Sequence, residues 1–81
     1  MSFDYKNLSP EHIKAARGLL NWDQNDLAAA SELSRSSIQK AEKENVADRT
    51  LRDIYRAFTA VGIEFVNGNA PGVRLHKKTS Q

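Results

Sequence analysis

Between Gln24 and Glu44 the chain reads QNDLAAASELSRSSIQKAEKE, and the second half of that stretch concentrates hydrogen-bond donors: Arg35, Ser36, Gln39, Lys40 and Lys43. Set on a helix, these side chains fall opposite Ile38 and Ala41, which are three residues apart, with Leu33 just before them completing an inward stripe. A helix held by one face and carrying donors on the other suits the DNA major groove. There Arg can engage O6 and N7 of guanine together, and Gln can engage N6 and N7 of adenine. The plainer alternative is a solvated helix face, since Lys and Arg are common on such surfaces. Bond-making chemistry has less to stand on. His12 and His76 lie far apart in sequence, and no carboxylate pair or Gly-rich phosphate loop accompanies them. Asn67-Gly68-Asn69 and Pro71-Gly72 are turn residues without the strand-to-helix context of a nucleotide loop. No enzymatic activity is expected, and no metal at these two histidines. His12 is expected to be an exposed surface residue at the start of a helix.

The donor run needs elements to hold it. Gln24 opens a short helix with a small-residue face at Leu27, Ala28 and Ala30, and the break falls at Ser31-Glu32-Leu33. Ser34 can then cap the second helix by accepting the free amide hydrogens of its first turn. Upstream, Ser9-Pro10-Glu11 is a helix start: Ser as N-cap, Pro at the first helical position, and an acid near the positive end of the dipole. Ile13, Ala16 and Leu20 form the buried stripe of this first helix, widened by Leu19. Gly18 within it suggests close approach of another backbone. Asn21-Trp22-Asp23 ends the helix and can cap the next, with Trp22 a plug between the two. Downstream, Asn45-Val46-Ala47 reads as a loop. A longer helix follows from Asp48 or Arg49 to Val61, with Leu51, Ile54, Tyr55, Phe58 and Val61 on one face, and Gly62 stops it.

The two ends differ from this helical body. Residues 1–8 show no sustained periodicity; Phe3 and Tyr5 alternate with polar residues, as a short strand would, but a flexible arm is the expected state. Ile63-Glu64-Phe65-Val66 and Val73-Arg74-Leu75 are β-rich segments around the turn cluster Asn-Gly-Asn-Ala-Pro-Gly, a hairpin with a long loop. The last residues, 77–81, are expected to fray.

Eighty-one residues make one domain, and 40% hydrophobic content supplies one small core. Such a core seldom contributes more than about 3–5 kcal/mol, which makes oligomerisation a natural supplement. There is no cysteine, hence no disulfide framework or thiolate metal site. No apolar run approaches the roughly 20 residues of a membrane span, and no basic-then-apolar leader opens the chain, so a cytoplasmic protein is expected. The net charge is only +2, but it is unevenly spread. Residues 9–33 carry a net −2, residues 34–49 a net +1, and Arg74, Lys77 and Lys78 give the C-terminal stretch +3. Positive charge collects on the second half of the helix pair and at the C-terminus.

Gln-x-x-Leu-Ala, then five residues on Ser-Arg-Ser-Ser-Ile, then Glu42, resembles the Cro and phage-repressor helix-turn-helix family of the xenobiotic-response-element type. The matching pattern runs from about Ile13 to Val61. It departs from the family at Glu32, where members usually carry Gly because the backbone tends to turn left-handed. A Glu in that conformation costs roughly 1 kcal/mol. The resemblance implies a role for each residue. Arg35, Ser36 and Gln39 match the positions that face base edges. Gln24 would touch a phosphate and buttress the recognition helix, Ser34 would lie where the helix terminus approaches the DNA backbone, and Ser37 would add a hydroxyl contact. Lys40 and Lys43 are better placed for phosphate, alongside Arg49 in the loop beyond. Arg17 neighbours the apolar stripe of the first helix, where a lone charge would be excluded, and Glu42 sits near the inner side of the second motif helix. In the family the matching residues often form a buried ion pair, tolerable only when paired and hydrogen-bonded. Phosphate binding by Arg17 is the alternative.

The expectation is an all-α, lambda-repressor-like domain of four helices with a short C-terminal β-hairpin: an arm over 1–8, the helix-turn-helix body over 9–62, the hairpin over 63–76 and a flexible tail over 77–81. It would bind a double-stranded DNA operator as a transcriptional regulator, most simply a repressor, as a homodimer on a two-fold site, without cofactor. A second expectation is a DNA-binding antitoxin or partner-regulated repressor whose other surface holds a regulatory protein. A third is a protein-interaction module that has lost DNA binding. Ile63, Phe65 and Val66 are expected at the dimer interface, because a lone hairpin leaves an unpaired edge. Dimerisation through the fourth helix is the alternative.

Overall fold

The computed structural model describes residues 3–66 and 72–76. Four helices follow in order: α1 (Pro10–Leu20), α2 (Gln24–Ser31), α3 (Arg35–Ala41) and α4 (Asp48–Thr59). A 3-10 turn (Tyr5–Asn7) precedes them, and a two-stranded hairpin, β1 (Ile63–Val66) and β2 (Gly72–Leu75), follows. The turn cluster at 67–71 and the tail at 77–81 lie outside the described residues.

Local chemistry sets most of the helix boundaries. Ser9, Asp23 and Ser34 are the N-caps of α1, α2 and α3, each side-chain oxygen accepting a backbone N–H from the third residue beyond. Asp23 and Asp26 cap reciprocally, at 2.8 and 3.0 Å. Helices α1 and α2 end alike, on a residue in the left-handed region: Asn21 at φ 57° and Glu32 at φ 61°. The next amide then reaches back over the last turn, from Trp22 to the Arg17 carbonyl at 2.9 Å and from Leu33 to the Ala28 carbonyl at 3.1 Å. Both reversals thus satisfy carbonyls that a helix end would leave free.

The core is one cluster. Ile13, Leu27, Ile38, Ile54 and Phe58 are its largest fully buried side chains, and Leu8, Ala16, Ala28, Ala41, Leu51, Ala57, Ile63 and Phe65 complete it. Trp22 is partly buried and stacks on Phe58, with ring centroids 5.8 Å apart, so it does plug the space between helices.

Strand β1 packs on α4 and β2 on α1. They pair antiparallel, Ile63 with Leu75, Glu64 with Arg74, Phe65 with Val73 and Val66 with Gly72. Gly62 makes the corner at φ 97°; its carbonyl accepts the His76 N–H at 2.8 Å, and a Cβ there would lie 2.7 Å from the His76 carbonyl oxygen. The hairpin is therefore bound tightly to the end of the helical body.

Several expectations need correction. Leu19 is 45% exposed and does not widen the α1 stripe. Gly18 has open space where a Cβ would go, so no backbone approaches it. On α2 the third inward residue is Ser31 rather than Ala30, its hydroxyl donating to the Leu27 carbonyl at 2.7 Å; i and i+4 share a face, whereas Ala30 is turned outward. Helix α4 ends at Thr59, and Val61 is 39% exposed. The segment before Ser9 is neither strand nor loose arm over residues 3–8. Leu8 is buried, and Phe3 packs against Tyr55 and Phe65, centroids 6.1 and 5.4 Å away.

His12 is the largest departure from expectation. It is 5% exposed, wedged between Phe3 and Phe65, whose rings stand at 77° and 88° to the imidazole. It completes a capping box: Nδ1 accepts the Ser9 N–H at 3.0 Å while the Ser9 hydroxyl accepts the His12 N–H at 3.2 Å. With Nδ1 accepting, the ring proton of neutral His12 is on Nε2, a buried atom without a hydrogen-bond partner among the described residues. Burial pushes the His12 pKa down, against a smaller upward pull from Glu11.

Candidate nucleic-acid interface

Helix α3 is anchored from beneath by Ile38 and Ala41, both essentially fully buried. Its other side presents Arg35, Ser36, Gln39 and Lys40, all exposed. The helix spans only seven residues, and its first turn is fixed by Ser34, whose Oγ accepts the Ser37 N–H at 3.1 Å and lies 3.0 Å from the Ser37 hydroxyl. Arg35 and Ser36 thus stand in the first turn and Gln39 one turn on, a single ledge of donors with no competing in-chain bond among the described residues. Lys43 lies beyond the end of α3, in the turn where its amide donates to the Lys40 carbonyl at 3.0 Å. Arg49 is not in a loop but in the first turn of α4, and it is exposed.

The orientation of this ledge is held by one buried network. Arg17 on α1 grips Glu42, the C-cap of α3, through two parallel bonds: Nε to Oε2 at 2.6 Å and Nη2 to Oε1 at 2.9 Å. Its third nitrogen, Nη1, donates to the Trp22 carbonyl at 3.0 Å. The Glu42 side chain is 5% exposed and that of Arg17 21%. Hydrogen bonding to Glu42 raises the Arg17 pKa further above its ordinary value, outweighing the opposite effect of burial. Gln24, the first residue of α2, donates from Nε2 to Glu42 Oε1 at 3.2 Å. One carboxylate therefore ties α1, α2 and α3 together, and such charge-assisted, two-pronged bonds fix an angle as well as a distance.

Beside the ledge, Ser37, Lys40, Val46, Ala47 and Thr50 line a shallow concavity of about 210 Å³. Helix α4 starts there without a side-chain cap, because Ala47 offers none. The uncapped start of a helix, with Ser37, Lys40 and Thr50 lining the same concavity, is a combination that suits an anion. Thr50 was not among the residues singled out from the sequence. The signal for it was an Ala where an N-cap oxygen would ordinarily stand.

The hairpin residues are placed differently. Ile63 and Phe65 are 3% and 5% exposed and point into the chain's own core, so their side chains are not free for a second chain; Val66 is half-buried. On the outward side of the hairpin His76 Nε2 and Glu64 Oε1 lie 2.5 Å apart, and this hydrogen bond lowers the Glu64 pKa. Among the described residues no group of three or more His, Asp or Glu side chains is arranged to hold a metal ion, and no helix is long and apolar enough to cross a membrane.

A family model described as helix-turn-helix matches residues 13–61, which takes in the chain from the first turn of α1 to the end of α4. No curated protein matches the chain.

Proposed function

Since the chain belongs to the Cro/repressor-type helix-turn-helix family and is a DNA-binding transcriptional regulator, we propose that it represses by occupancy, as a homodimer on a two-fold operator, with α3 reading bases. The observation that carries this reading is the exposed Arg35–Ser36–Gln39 ledge, anchored by Ile38 and Ala41 and aimed by the Arg17–Glu42–Gln24 network. Arg35 and Gln39 supply the two side chains best suited to bidentate contact with guanine and adenine, and Ser36 a hydroxyl that bonds to either. In this reading Ser34, Ser37, Lys40, Lys43 and Arg49 contact phosphates on either side of the base-reading residues, and the concavity lined by Ser37, Lys40 and Thr50 offers a further place for one. Gln24 keeps the second hydrogen of its Nε2 for a phosphate while the first is donated to Glu42.

Blocking a promoter needs no bond-making step, no cofactor and no membrane, and the reading places the protein in the cytoplasm with DNA. Selection from a random duplex library with purified protein tests it. Enrichment of a two-fold motif, with half-site centres about 34–36 Å apart, is expected. Recovery of unenriched sequence, with weak binding insensitive to salt, would leave a protein-interaction module instead.

A further inference from the structure

One feature of the helix pair is not used by DNA reading. Glu32 sits in the left-handed region at φ 61°, ψ 35°, where Gly or Asn is cheaper. The turn gains nothing from the carboxylate: the bonds that close it are made by the Glu32 and Leu33 amides, and any residue supplies those. The Glu32 side chain is exposed and makes no hydrogen bond or ion pair among the described residues. A locally costly residue with an idle charge points to a use outside the fold.

Glu32 stands on the rim of a groove of about 420 Å³ between the end of α2 and the second half of α4. Ala30, Ala57, Ala60 and the exposed Val61 form the apolar part, and Arg56 stands on the same rim. Arg56 likewise has no acidic partner among the described residues, whereas Asp53 is engaged by Arg52 at 3.4 Å. Thr50, at the DNA-facing end of α4, precedes Ala60 by ten residues, roughly 15 Å of helix. The α4 wall of the groove thus runs away from the end of α4 beside α3, and its α2 wall is the turn at Glu32 that precedes α3.

We propose that this groove is the contact between two copies of the chain, with Glu32 of one protomer paired to Arg56 of its partner and the reverse across the two-fold axis. The proposal rests on the dimeric reading above and names the surface it uses. A two-fold contact presents the same patch from both sides, so the patch must carry both signs of charge and an apolar portion. The groove does. The hairpin offers less: Ile63 and Phe65 are spent on the core and Glu64 is engaged by His76, which leaves Leu75 and Arg74 as its exposed residues on β2. A heterologous basic protein would use Glu32 but would be repelled by Arg56 in the same groove.

Charge exchange in the full chain, followed by analytical ultracentrifugation without DNA, tests this. The parent is expected to dimerise. R56E should weaken association roughly tenfold or more, and E32R/R56E should restore it. Replacing Glu32 by Gly should raise the unfolding midpoint of dilute, monomeric protein, by relieving the turn, yet weaken association; a purely structural Glu32 would not produce that opposition. Affinity of R56E for a single half-site should match the parent, since Arg56 is remote from α3. A parent that dimerises while R56E and E32G leave its dissociation constant unchanged would overturn the groove and spare the dimer. A double variant as weak as R56E would also overturn the proposed pairing. A parent that stays monomeric at millimolar concentration and still binds its operator would overturn the dimeric reading, and the groove with it.

Discussion

Arg17 and Lys43 carry the same charge, yet their surroundings give them opposite prospects. Lys43 is exposed beyond the end of α3, so Lys43→Ala should leave stability unchanged, weaken binding to all sequences alike, and flatten the salt slope by about one unit in a titration against ionic strength. Arg17 holds Glu42 by two bonds, and Arg17→Met leaves that carboxylate buried and without its counter-charge. The loss should be about 3 kcal/mol, at the low end for buried pairs because water reaches part of the guanidinium, read as a shift in the urea midpoint. A parental melting temperature would dismiss the network. His12 makes stability pH-dependent. Its folded pKa lies below the ordinary histidine value of about 6.5, so as pH falls the unfolded chain takes the proton first. The contribution of neutral His12 is complete above that value and is lost between it and the lower folded pKa. Comparing urea midpoints at neutral and mildly acid pH should show the decline. His12→Gln should remove that part of it, since Gln can still close the capping box. Arg17 was legible in the sequence because a charge beside an apolar stripe is conspicuous. His12 was not, because what buries it, Phe3 and Phe65, comes from either end of the chain and no local pattern reports that.

Elements were legible where their signals are local. The N-caps Ser9, Asp23 and Ser34 and the break at Glu32 all fall where residue chemistry puts them. Legibility failed where tertiary contact decides. Residues 3–8 become ordered because Phe3 and Tyr5 meet Tyr55, and α4 stops short of Val61 because the chain must turn at Gly62 into the hairpin. That corner gives a sharp test. Gly62→Ala combines a positive φ with a Cβ 2.7 Å from backbone, and should destabilise by more than about 1 kcal/mol. Gly18→Ala, in open space within α1, should stabilise by roughly 0.5–1 kcal/mol in the same denaturation assay. Equal effects at both positions would mean that the corner is not built as described.

The whole molecule is a helical body whose core is closed by a hairpin rather than one that merely carries it. Phe65 meets Phe3, His12, Tyr55 and Phe58, so Phe65→Ala should cost about 3–5 kcal/mol, as much as a small core supplies. Loss of the cooperative thermal transition is expected by circular dichroism. The hairpin itself was legible from its turn cluster and β-rich flanks, but which face it turned inward was not, since a one-residue shift exchanges the two. The proposed function depends on this body presenting α3 at a fixed angle, and the reading of bases by Arg35 and Gln39 is the claim on which the account turns. Repeating the duplex selection with Arg35→Ala and Gln39→Ala measures it most directly. Each variant should lose preference at one position per half-site and about 1–3 kcal/mol of affinity for the parental site, while binding of unrelated duplex is unchanged. Recovery of the parental motif at parental affinity by both variants would contradict the account.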